Sequence, residues 1–334
     1  MMRALGLRKS LYLLLTAFFI FLLCFFLRYH NSGLVEWGDK REIMLKPPSI
    51  HTSQKHQLLQ VLRRAAMSDR SVILTMVDES RAKPGSVLDV FLQSFKSGQG
   101  TQRLLNHLVI IAMDLQSFKY CKSMHSHCIH PSTFAHYFAT KRHSITSPYH
   151  NVFSWRRNNV LLEVLQLGYS IIFTDVDVLW LRSPLSNIDP GKELTISCNI
   201  SSDGHGGLYV EDGGIFFLKA NALAVEFFKS LKLNKLMYPI SIAEESLCTT
   251  IIQSREIVRA YGLRVIDVDT TYFGGFCHLS EDMLRKAYTI HANCCGDLSS
   301  KVHDLRNVLD DWIHLRERSS RNKMALRWPQ KCKR

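Results

Sequence analysis

The sequence predicts an α/β fold with a mostly parallel central sheet, preceded by a single N-terminal transmembrane helix. Three observations carry this reading. Apolar runs without a polar break, such as residues 71–77 and 107–113, are separated by segments of helical periodicity, the pattern of parallel strands covered on both faces. A third such run, residues 170–180, holds Asp175 and Asp177 one residue apart. Residues 11–27 carry no charge and are dominated by Leu and Phe, the short end of a spanning helix.

Taken in order, residues 1–10 form a short tail carrying Arg3, Arg8 and Lys9. The positive-inside rule leaves that tail in the cytoplasm and the rest of the chain in the lumen, a single-pass type II arrangement. After Leu27 the chain reads Arg28-Tyr29-His30-Asn31, without a small-residue cleavage site, so 11–27 is read as an uncleaved signal anchor. Its short span suits thinner, early secretory membranes and points to the Golgi. Residues 28–56, with Lys46-Pro47-Pro48-Ser49, read as a stem or linker.

Residues 57–66 are expected to be a helix leading into the first strand at 71–77. A helix at 87–95 precedes the strand at 107–113. Apolar positions at Phe153, Val160, Leu161, Val164 and Leu165 predict an amphipathic helix over 151–167, stopped by Gly168 and feeding the strand that bears the aspartates. The luminal domain is placed at 57–316 and a basic C-terminal tail at 317–334, with Arg318, Arg321, Lys323 and Arg327 among its cations.

Composition narrows the class. Apolar residues make up 46% and charged residues 21%, ordinary for a globular protein, but the net charge is +13. The cations are scattered or gathered at the two ends, and no helix-turn-helix, zinc-finger or RNA-binding pattern is present, which argues against nucleic acid. Basicity near a membrane suits anionic ligands instead. Of nine cysteines, Cys24 lies in the expected span and the others would be luminal, where disulfides persist. Cys121 and Cys128 are read as a local bridge. The neighbouring His125, His127 and His130 raise a zinc alternative, but their spacing with Cys128 matches no standard ligand set. Asn199-Ile200-Ser201 is an N-glycosylation acceptor if luminal.

The chemistry centres on Asp175 and Asp177. Carboxylates embedded in an apolar run need a partner to offset their desolvation. On one side of an extended chain they would share a hard divalent cation, and ligands of such sheets sit beyond the carboxyl ends of the strands. A metal there is a ready site for a diphosphate. A second Asp-X-Asp, Asp267 and Asp269 followed by Thr271, has the spacing of an aspartyl-phosphate phosphatase. Such an enzyme needs most of its sheet after that motif, and too little chain follows.

The run Ile172-Phe173-Thr174-Asp175-Val176-Asp177-Val178-Leu179-Trp180 resembles the Asp-X-Asp block of the plant nucleotide-diphospho-sugar transferase family, glycosyltransferase family 77, whose relatives include extensin arabinosyltransferases and pectin xylosyltransferases. Further blocks resemble that family in order. They are Phe91-Leu92-Gln93-Ser94-Phe95, Trp155-Arg156-Arg157, Tyr272-Phe273-Gly274-Gly275-Phe276-Cys277, His291-Ala292-Asn293-Cys294-Cys295 and Leu309-Asp310-Asp311-Trp312. The resemblance covers roughly residues 57–316.

It implies a GT-A-like fold binding a nucleotide-sugar, with a UDP-sugar the expected donor, and a divalent cation, usually Mn2+. It further implies transfer to a cell-wall glycoprotein or polysaccharide with retention. Asp175 would contact the ribose and the metal, Asp177 would ligate the metal, and His291 would complete the site. Thr75, Arg157, Asp212, Gly213 and Gly214 make up the expected substrate-binding set. Arg157 would add charge at the phosphates, and Asp212-Gly213-Gly214 stands where the family usually reads Asn-Gly-Gly. Residues 242–248 depart further: the family commonly has His-Asp-Gln-Asp where this chain has Ala243, Glu244, Glu245 and Ser246. Glu244 and Glu245 are the candidates for stabilising an oxocarbenium-like state. The departure also supports an alternative, a non-catalytic Golgi-anchored member acting as a binding or assembly partner.

Overall fold

The computed structural model describes residues 50–134, 149–189, 191–202, 208–237, 247–248, 251, 255–317, 327 and 329–332. The expected tail, anchor and most of the stem lie outside these residues, as do Glu244 and Glu245. Among the described residues no helix is long and apolar enough to cross a membrane.

The first helix, α1 (Ile50–Ala65), begins inside the segment expected as a stem. It leads to β1 (Ser71–Val77), then α2 (Val87–Ser97), β2 (Leu108–Ala112), α3 (Leu115–Met124) and β3 (Cys128–Ile129). After α4 (Tyr149–Gln166) come β4 (Ser170–Thr174) and β5 (Val178–Trp180). Then follow β6 (Leu194–Ser202), β7 (Leu208–Leu218), α5 (Ala222–Met237), α6 (Arg255–Ala260) and β8 (Val265–Asp267). The described helices and strands end with β9 (Phe273–Gly275), α7 (Glu281–Lys286), β10 (Thr289–His291) and α8 (Leu298–Glu317).

Seven strands form the main sheet in the order β3-β2-β1-β4-β7-β6-β8. Four of the six neighbouring pairs are parallel, so the sheet is mostly parallel as expected, and β7, antiparallel to both β4 and β6, makes it mixed. Unbroken apolar runs report burial of both faces, not strand direction, and the sequence therefore left this unspecified. A second, three-stranded sheet has the order β5-β10-β9.

Alternation along β1 shows how both faces are covered. Val72, Leu74 and Met76 join one core with α1, α4 and α5 residues such as Leu62, Val164 and Phe227. Ile73 and Val77 join the other, with Phe91 and Phe95 of α2 and Leu305, Leu309 and Trp312 of α8. Trp180 is fully buried in that second core and stacks on Phe95 at 4.5 Å between centroids. Its indole N–H donates to Thr174 Oγ1 at 3.1 Å, which ties the end of β4 to the end of β5.

That tie spans the turn between the two sheets. Residues 170–180 are not one strand. The chain leaves the main sheet at Thr174, turns at Val176 and Asp177, and enters the second sheet at Val178. Asp175 and Asp177 therefore sit in a turn between two sheets rather than on one side of an extended chain.

Four disulfides join Cys121 to Cys128, Cys198 to Cys248, Cys277 to Cys294 and Cys295 to Cys332. The first agrees with the expected local bridge and removes Cys128 from any zinc set. His125 Nε2 is 2.7 Å from the Leu108 carbonyl oxygen. The described part of the C-terminal tail is fastened down: buried Asp304 accepts from the amides of Lys331 and Cys332 at 2.8 and 2.7 Å.

Candidate metal and donor site

Two strand ends meet at the turn that carries the aspartates. β4 stops at Thr174, paired with Ile215 of β7, and the next amide, that of Asp175, donates to the Gly214 carbonyl at 2.8 Å. β10 pairs antiparallel with β5, setting His291 opposite Val178, and the Ala292 amide donates to the Asp177 carbonyl at 2.9 Å. Backbone pairing alone thus brings His291 beside residues more than a hundred positions earlier.

Asp175, Asp177 and His291 each offer one ligand atom, all within 4.8 Å of one another. That separation is one an ion with ligand distances of roughly 2.1–2.4 Å can bridge, and a mixed carboxylate–imidazole set suits a borderline divalent metal. His291 Nδ1 lies 2.7 Å from the Asp212 carbonyl oxygen, so a ring protonated there directs Nε2 toward Asp177. Nε2 stands 3.4 Å from Asp177 Oδ1, and the two side chains keep 11% and 14% exposure, enough for access from solvent. The residues present fit the metal that the resemblance implies.

Electrostatics agree. Burial, outweighing the pull of Arg157, pushes Asp175 up to about 6, and nearby Asp177 adds to the rise. Burial also opposes charging Asp177, but His291 and Lys301 outweigh it and hold that carboxyl well below the usual carboxylate range. Burial works against a charged His291 too, yet Asp177 prevails and the ring is raised to about 9. Crowded carboxylates of unequal basicity are what a divalent cation would relieve.

Asp212-Gly213-Gly214 lies within β7, opposite an irregularity in β6 between Ile196 and Cys198. The glycines act by admitting protein rather than by forming an isolated turn. Gly214 has φ +67°, and a Cβ there would stand 2.9 Å from Cγ of His291. A Cβ on Gly213 would stand 2.6 Å from the Ser197 side chain. The cavity beside Gly213, lined also by Ser197, Asp212 and Asn293, is about 30 Å³, room for a water.

Arg157 is buried at 6% exposure, not solvated, with its guanidinium 5.5 Å over the Phe173 ring and its Nε without a hydrogen-bond partner among the described residues. It lies close enough to Asp175 to act on it electrostatically. Thr75 is fully buried and its hydroxyl has no partner among the described residues; it shares the β1 face of Ile73 and Val77 and directly follows Leu74, which pairs with Phe173 of β4. Asn199 lies on β6 in register with Glu211. Asp269 accepts from the Thr271 amide at 2.7 Å, which makes it a turn-forming residue ahead of β9.

Lys301 is a site residue that sequence reasoning missed. It stands in the first turn of α8, and its Nζ lies 2.5 Å from Asp177 Oδ2. The disulfides of the adjacent Cys294 and Cys295 tie down the loop between His291 and α8 from within. A lone lysine so distant from Asp177 in sequence carries no signal of its own.

An acid–imidazole cluster beyond a strand end stands where open α/β sheets bind their ligands. The profile described as nucleotide-diphospho-sugar transferase matches residues 103–305, over half of the chain, and the chain belongs to that family. The Arabidopsis thaliana protein At4g15970, itself uncharacterized, is 32% identical over 302 residues, covering 89% of this chain and 79% of its own. A second uncharacterized Arabidopsis thaliana protein, At1g28695, is 33% identical over 255 residues, covering 74% and 75%. Among solved structures, apo mouse xyloside xylosyltransferase 1 is similar over 67% of this chain and 98% of that chain, at 12% identity and a TM-score of 0.38. The galactosyltransferase LgtC, solved with donor and acceptor sugar analogs, is similar over 71% and 95%, at 13% identity and a TM-score of 0.37.

Proposed function

We propose that this family member is a metal-dependent glycosyltransferase of GT-A-like fold that takes a UDP-sugar and transfers the sugar, with retention, to a cell-wall glycoprotein or polysaccharide. The convergence of Asp175, Asp177 and His291 carries the reading. These three residues would hold Mn2+ or a similar ion, which when bound supplies Lewis-acid neutralisation of the departing diphosphate. Arg157, which acts on Asp175, and Lys301, which bonds Asp177, would share the negative charge of a bound donor. Asp212 orients His291 through its carbonyl, and Gly214 admits the ring. Glu244 and Glu245 remain the candidates for facing the donor sugar.

Four disulfides support a compartment that is oxidising, in keeping with a Golgi-anchored, type II protein whose anchor is residues 11–27. A screen of UDP-sugars against the full-length protein in detergent, read as UDP release with and without Mn2+, tests the activity. Metal-dependent release from at least one donor is expected; equal release in excess chelator would overturn the metal-dependent mechanism. Glu244, Glu245 and Ser246, in place of the Asp-Gln-Asp of the family's run, favour one second reading, the non-catalytic binding partner. Tight UDP and Mn2+ binding with no release across the donor panel would favour it.

A further inference from the structure

Both oxygens of Asp177 face donors from this chain: Lys301 Nζ at 2.5 Å on Oδ2, and His291 Nε2 at 3.4 Å from Oδ1. Lys301 is unusually placed for a lysine. It stands in the first turn of a 20-residue helix, where the helix dipole disfavours a cation, and its side chain is only 20% exposed. Among the described residues, Asp177 is the partner that offsets the loss of hydration and the unfavourable dipole. That carboxylate is also a member of the converging ligand set. A divalent ion bound by Asp177 would stand a few ångströms from the ammonium, and like charges at that distance repel strongly in a partly buried site.

We propose that Lys301 is an internal counter-cation that competes with the divalent ion for Asp177. The metal then binds tightly only when Lys301 has another anion to turn to. A diphosphate arriving with the ion is such an anion, so that metal and donor would each raise the other's affinity through this one side chain. Asp177 stays paired in either state, which avoids leaving a largely buried charge without a partner. The inference rests on the metal-site reading above and adds to it a way of making metal loading depend on the donor.

The test is Mn2+ binding to the full-length protein without nucleotide, read from the electron paramagnetic resonance signal of free Mn2+. Lys301→Met is expected to bind Mn2+ at least tenfold more tightly than the natural protein. Lys301→Arg, which keeps the charge, should stay within about threefold of the natural protein, and Asp177→Asn should lose the site. If Lys301 only braces the fold, Lys301→Met will lower the melting temperature and bind Mn2+ equally or more weakly, which overturns the competition. Should Lys301→Met not fold, Lys301→Gln takes its place with the same tenfold expectation. If Asp177→Asn binds Mn2+ as tightly as the natural protein, the metal-site reading itself fails, and the competition fails with it.

Discussion

The Nδ1 nitrogen of His291 lies 2.7 Å from the carbonyl oxygen of Asp212, a bond made across 79 residues of sequence. Gly214 makes it possible, because any Cβ at that position would stand 2.9 Å from Cγ of the ring. Gly214→Ala should therefore displace His291 and weaken Mn2+ binding by tenfold or more, the usual cost of disturbing a residue that orients a ligand. Gly262→Ala is the control: its φ is also +67°, but nothing lies within 4 Å of the added carbon. It should lower stability slightly and leave Mn2+ titration unchanged.

Trp180 closes the aspartate turn from the core side. Trp180→Ala should cost about 3–5 kcal/mol by removing a fully buried indole. Trp180→Phe keeps stacking on Phe95 but leaves Thr174 Oγ1 without its N–H donor, which should cost roughly 1–3 kcal/mol. Denaturant unfolding measures both, and the order Ala worse than Phe is the expectation.

Arg264 donates to the buried carboxylate of Glu193 from Nη2 at 2.8 Å and from its amide at 3.0 Å. These bonds, against the opposing effect of burial, hold Glu193 at about 2. A folded pKa below the unfolded value means stability that is fully present above about pH 4.5 and lost as pH falls toward 2. Glu193→Gln should lower stability at pH 7 by roughly 1–3 kcal/mol and flatten the acid-side loss in that window. Urea midpoints across pH 2–6 would show an unchanged slope if the pair contributes nothing.

Asp304 anchors the C-terminal segment through the amides of Lys331 and Cys332. Asp304→Ala leaves two amide donors without their acceptor, at roughly 1–3 kcal/mol each when both stay buried. The melting temperature should fall, and the Cys295–Cys332 bridge should become reducible at lower dithiothreitol, as read by thiol labelling.

Much of this was legible in the sequence. The apolar runs at β1 and β2 and the helical spacing of α4 are strong local signals, and all three elements form. Asp175 and Asp177 stood out because acids in an apolar run demand an explanation, and His291 entered through the family resemblance. Other features have no local signal. β4 and β5 are both buried and apolar, so nothing in residues 170–180 announces a turn into a second sheet. The direction of β7 is set by pairing, not by composition. Lys301 matters for what stands next to it, and the pairing of eight cysteines cannot be deduced from spacing alone.

In the proposed site Asp175, Asp177 and His291 would hold a metal through which a nucleotide diphosphate binds. Calorimetric titration of UDP into the full-length protein, with Mn2+ and then with excess chelator, tests it most directly. Saturable UDP binding with Mn2+, lost in chelator and lost in Asp177→Ala, is the predicted result. UDP binding of equal affinity in chelator, or undiminished in Asp177→Ala, would contradict it.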